Sequence, residues 1–63
     1  MDGQKIRDMR EERGLTRRQV SYQSGVTEGQ LLMIETGRTE NPRINTLISI
    51  ARVLDCEISD FLN

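Results

Sequence analysis

The sequence predicts an all-α fold of five short helices, and three observations carry that expectation. Leu, Ile, Arg and Glu are abundant, proline occurs once, and the alternating pattern of a half-buried strand is absent. Thr16-x-x-Gln19 and Thr27-x-x-Gln30 repeat one helix-start signature, in which a hydroxyl takes the amide three residues on and the glutamine reaches back. Ile44, Leu47, Ile48, Ile50, Ala51 and Leu54 form the strongest amphipathic stripe in the chain.

The first helix is expected over about residues 3–13, with Ile6, Met9, Arg10 and Arg13 along one side and Gly14 as its stop. Leu15 then enters the core. The second helix, about 17–24, buries Val20 and keeps the small Ser21 and Ser24 where neighbouring helices come close. The two capped starts lie 11 residues apart, which leaves room for two turns of helix and a tight connection. Gly25 falls where that connection must turn, and glycine takes positive φ without steric penalty. The third helix, about 28–36, buries Leu31 and Ile34, with Val26 just ahead of its cap and Gly37 ending it. Pro42, in the loop RTENPR, biases Asn41 toward an extended conformation. The fourth helix carries the long stripe and is expected to be the central packing element, stopped at Asp55. Cys56 and Ile58 point inward, and Phe61 and Leu62 close the core from a short last helix.

At 63 residues the chain reads as a single domain, 1–63, near the size at which one core is only just sufficient. Cys56 is the only cysteine and histidine is absent, so one chain forms neither an internal disulfide nor a zinc site. Cys56 is read as a small buried hydrophobe rather than a reactive thiol. No apolar run approaches the roughly 20 residues of a membrane span, and the start MDGQKIRDMR is too charged for a secretory signal. A cytoplasmic compartment is expected, with no membrane partner. The net charge is −1, yet it is unevenly spread. Lys5, Arg7, Arg10, Arg13, Arg17 and Arg18 crowd the first half, while Asp55, Glu57 and Asp60 concentrate acid at the far end. A nearly neutral domain of this kind can still present a weakly positive face.

Two capped helices around Gly25 outline a helix-turn-helix, whose second helix can enter the DNA major groove. With IRDMREERGLT before it and LISIARVLDCEISDFL after it, the segment VSYQSGVTEGQLLMIETG resembles the DNA-binding domain of the lambdoid phage repressor and Cro family, the class of the xenobiotic-response-element-type regulators. The closing segment is similar to that family's LxxIAxxLxVSxxxL ending, and the resemblance runs from about Ile6 to Leu62. Ser21 stands at the family's small-residue position, Gly25 at its turn glycine, and Val26, Leu31 and Ile34 at its apolar positions. The resemblance implies a compact five-helix bundle with a central helix-turn-helix. It also implies a repressor-like transcription regulator that binds a double-stranded DNA operator as a homodimer, without a cofactor or a small-molecule site.

The resemblance assigns roles residue by residue. Arg10 and Glu35 correspond to a partly buried ion pair and are read as architectural, since either charge buried alone would cost several kcal/mol. Arg17 stands where relatives often carry a Gln that contacts the DNA backbone or the first base pairs, and the helix start beside it favours phosphate. Arg18 fits a phosphate contact and an ordinary solvated charge equally well. Thr27 caps the third helix and in relatives also touches phosphate. The base-reading positions are Glu28, Gly29 and Met33, with Gln30 and Leu32 beside them, and here the chain departs from the Gln, Ser, Arg or Asn common in the family. Glu28 can accept from the cytosine amino group but adds negative charge opposite phosphate. Gly29 has no side chain and costs up to ~1 kcal/mol of helix stability. Met33 and Leu32 suit thymine methyls or, equally, a protein contact. Arg38, Thr39, Asn41 and Arg43 form the second half of the footprint, with Arg43 at the position from which relatives enter the minor groove.

Two function classes remain open on the sequence. One is sequence-specific DNA binding; the other is a helix-turn-helix scaffold for protein contact, antitoxin-like or antirepressor-like, suggested by the acidic balance, Glu28, Leu32 and Met33. An enzyme is not expected, because there is no His, no nucleophile beside a base and no phosphate-cradling loop followed by Lys. The chain fits both a segment of a longer repressor and a small Cro-like protein.

Overall fold

Three helix starts are fixed by side chains that take up orphan amides. The Asp2 carboxylate accepts from the Gln4 amide at 3.0 Å. Thr16 accepts from the Gln19 amide at 3.1 Å while its own amide donates to Gln19 Oε1 at 2.8 Å. Thr27 and Gln30 repeat that reciprocal box at 3.1 and 3.2 Å. Each such cap contributes about 1 kcal/mol. The result, in a computed structural model that describes residues 1–62, is α1 (Gly3–Glu12), α2 (Arg17–Ser24), α3 (Glu28–Glu35), α4 (Ile44–Leu54) and α5 (Ser59–Leu62). The all-α, five-helix expectation is borne out, and no strand occurs among the described residues. Asn63, the last residue of the expected 1–63 domain, lies outside them.

Helix stops explain how so short a chain folds back on itself. Gly25 adopts φ 79° and its amide returns to the Ser21 carbonyl at 2.9 Å, so α2 ends and α3 starts within a few residues. Asp55 takes the same left-handed conformation at φ 53°, a strained choice that short polar side chains tolerate better than most.

The core gathers apolar side chains from all five helices, Ile6, Val20, Leu31, Ile34, Leu47, Ile50, Ala51, Leu54 and Phe61, with Val26 from the turn before α3. Full burial of a Leu, Ile or Phe side chain is worth about 1.5–3 kcal/mol, so this cluster dominates the stability. α4 packs on α2, α1 packs on α3 and α5, and α2 packs on α3. Leu15, Met9, Cys56 and Ile58 pack against the rim of the cluster. The outer face of α3 is left uncovered.

Four expectations need correction. α1 ends at Glu12 rather than 13, and Arg13 is exposed, reaching the Asp55 carbonyl at 3.4 Å instead of lining the inner face. α3 ends at Glu35, with Thr36 as its cap. Ile44 is exposed because it occupies the first turn of α4, where no earlier turn covers it. Leu62 is exposed as well: successive helical residues point about 100° apart, and Phe61, fully buried, takes the inward position.

Candidate nucleic-acid interface

The inward residues of α3 are Leu31, Ile34 and Glu35. Helical spacing then turns Gly29, Met33 and Thr36 directly outward, with Glu28 on one flank and Gln30 on the other. A helix with side chains is about 10–12 Å across, and the B-DNA major groove is about 12 Å wide. Gly29 thins this face where contact would be closest. Glu28 sits in the first turn, where the positive helix end favours its charge by about 0.3–1 kcal/mol. The capping box satisfies the Gln30 amide and the Thr27 amide, which leaves the first-turn donors of Glu28 and Gly29 without an intrahelical partner. Gln30 also spends its side-chain oxygen on that box, so only its amide hydrogens remain to address a ligand.

The Arg10 and Glu35 pair forms as the resemblance implies. Arg10 Nε donates to Glu35 Oε2 at 2.8 Å and Nη2 donates to Oε1 at 3.1 Å, both buried. Arg10 Nη1 donates to the Leu15 carbonyl at 2.7 Å, which fixes the turn between α1 and α2. The hydrogen bonds that Arg10 donates to the Glu35 carboxylate hold its guanidinium pKa above the ordinary value. A third group joins them: Arg17 Nη1 donates to Glu35 Oε1 at 3.3 Å. Sequence reasoning missed this link because nothing in the spacing of Arg17 and Glu35 announces it.

Two shallow clefts flank α3 and sort the expected site residues. One, between α1, the start of α2 and the start of α3, brings Arg17, Arg18 and Glu28 together beside Arg7. The other, between α3 and the loop after it, brings Gln30, Met33, Asn41, Arg43 and Thr39 together with Thr46. Thr27 lines neither cleft, and neither does Arg38, which is exposed in the loop. Arg7 and Thr46 were not expected at the site. Arg7 is partly engaged by Glu11 at 3.5 Å, and Thr46 follows from a helix that starts immediately after Arg43.

Away from this face, Cys56 is half-buried at the edge of the core, and burial pushes its thiol pKa up, with Asp60 adding to the effect. Among the described residues no group of three or more His, Cys, Asp or Glu side chains could hold a metal ion, and no helix is long and apolar enough to cross a membrane.

Comparison with known proteins finds helix-turn-helix relatives for nearly the whole chain. A helix-turn-helix family profile matches residues 6–61. The HTH-type transcriptional regulator SinR of Bacillus licheniformis is 33% identical over 63 residues, which is 100% of this chain and 57% of that protein. An uncharacterized HTH-type transcriptional regulator, y4dL, of Sinorhizobium fredii is 38% identical over 55 residues, 87% of this chain and 28% of its own length. The chain therefore spans less than two thirds of either relative. Among solved structures, the crystal structure of SinR, the master regulator for biofilm formation, in complex with DNA superposes with a TM-score of 0.94 at 32% identity, covering 100% of both chains.

Proposed function

The chain belongs to the helix-turn-helix family of the phage repressor and Cro type, and from that membership we propose that it is a sequence-specific DNA-binding transcriptional regulator acting in the cytoplasm. α3 enters the major groove of an operator, and two copies bind two half-sites about one helical turn apart. The role is binding rather than catalysis.

One observation carries the reading: the uncovered face of α3 lies between a cleft with Arg17 and Arg18 and a cleft with Asn41 and Arg43. Phosphate-binding groups thus flank the helix that would read bases, as backbone clamping on both sides of a groove requires. The solved relative bound to DNA supports the same reading. Arg17, Arg18, Thr27, Arg38 and Arg43 act on the backbone. Glu28, Gly29, Gln30 and Met33 face base edges, with Glu28 suited to a cytosine amino group and Met33 to a thymine methyl.

A titration of mixed-sequence duplex at low and moderate salt tests this. Binding that weakens steeply with salt, by a slope of about 0.9 per phosphate neutralised, is the expected result. Absence of binding at low salt overturns it. The second reading, a scaffold for protein contact, draws on the exposed Leu32 and Met33 of α3 and would then take its place.

A further inference from the structure

Glu35 carries more partners than an architectural pair needs. Its side chain is 1% exposed, and its two oxygens accept from Arg10 twice and from Arg17 once. Arg10 is spent entirely inside the fold, on Glu35 and on the Leu15 carbonyl. Two guanidinium groups against one carboxylate leave an excess of one positive charge. Arg10 is nearly as buried as Glu35, so the excess emerges where the cluster meets solvent, at the Arg17 side chain, which is 39% exposed.

We propose that Glu35 is a positioning residue for DNA contact: by holding Arg17 through Nη1, the buried carboxylate that joins α1 to α3 also aims a guanidinium outward beside the start of α2. This inference rests on the DNA-binding reading above. A guanidinium is planar and presents donors along more than one edge, so one edge can stay on Glu35 while another meets a phosphate oxygen. A lysine ammonium is a point charge without that second edge. The α2 terminus adds its own positive dipole end at the same spot. Arg17 also borders the cleft that holds Arg18 and Glu28, so its direction decides whether its outer edge reaches the backbone or turns to Glu28. A carboxylate inside the fold is thereby made to govern a contact outside it.

The obvious variant, Glu35→Gln, leaves Arg10 buried without a counter-charge and is expected to unfold the domain. The test therefore uses Arg17→Lys, Arg17→Gln and Glu35→Asp, which keeps a charge for Arg10 but draws it back from Arg17. Mixed-sequence duplex is titrated at several salt concentrations, and thermal unfolding is followed for each variant. Arg17→Gln should weaken binding to all duplexes and reduce the salt slope by about 0.9. Arg17→Lys should keep the slope and lose roughly tenfold in affinity, the scale of one charged hydrogen bond. The loss caused by Glu35→Asp should disappear in the Arg17→Gln background. Wild-type affinity in Arg17→Lys would mean that the charge alone suffices, and overturns the proposal. So would a Glu35→Asp loss that persists unchanged without Arg17, because Glu35 would then act only through the fold. Failure of the wild type itself to bind duplex would sink the DNA-binding reading as a whole, a result separate from either of these.

Discussion

Gly3, at the first turn of α1, is buried against the carbonyl of Ile34, where a Cβ would run into that oxygen. The contact brings α1 onto the C-terminal half of α3 and is secured by the Asp2 amide, which donates to the Phe61 carbonyl at 3.0 Å. The orientation of α3 thus depends on the absence of one side chain near the start of the chain.

Gly3→Ala should destabilise the domain by about 1–3 kcal/mol, the usual scale of overpacking. Gly29→Ala should do the opposite, since a Cβ there meets open space and the helix gains up to ~1 kcal/mol. Urea unfolding midpoints read both, and the contrast of sign is the diagnostic feature. Gly29→Ala should also weaken DNA binding if α3 approaches the groove at that point.

Arg10→Met leaves Glu35 buried with only the longer bond from Arg17, and should cost about 3–5 kcal/mol. Arg10→Met combined with Glu35→Leu should recover most of that loss, because no charge then remains buried alone. Chemical denaturation of the two variants separates an ion pair that stabilises from one whose members merely must not be parted. Recovery in the double variant should not extend to DNA affinity, since Arg17 has lost its anchor.

Much of this was legible in advance. Both capping boxes, Gly25, Asp55 and the Arg10 and Glu35 pair follow from local chemistry or from the family pattern, and each formed as expected. What stayed hidden was tertiary. The stripe that marks α4 is periodic in sequence, yet whether Ile44 is covered depends on which turn meets α2. Leu62 and Phe61 are interchangeable to a hydropathy pattern and are separated only by the direction of the final turn. Arg17 looked like a free phosphate ligand because its tie to Glu35 spans two helices. The candidate site was legible as a set of positions, while its division into two clefts needed the fold.

Thr27→Ala should cost about 1 kcal/mol in unfolding free energy, and Thr27→Ser should restore most of it by keeping the hydroxyl. If Thr27 also touches phosphate, Thr27→Ala loses DNA affinity beyond what partial unfolding explains. Titrations well below the melting temperature measure that difference.

The Cys56 thiol should react slowly with a thiol reagent at neutral pH. Its folded pKa lies above the ordinary 9.0, chiefly through burial, so the thiolate forms only in more alkaline solution. The buried neutral thiol therefore contributes stability that is full below the ordinary value and is lost as pH rises through the raised one. A rate profile against pH checks this, with onset displaced upward from that of the unfolded chain.

Selection of bound sequences from a pool of random duplexes tests the central claim most directly. A single enriched motif, repeated with two-fold symmetry at about one helical turn, is the predicted result. The Glu28→Gln variant should change preference at one position of that motif if Glu28 reads cytosine. A recovered pool as random as the starting one, for a wild-type chain that binds duplex, would contradict sequence-specific recognition by α3.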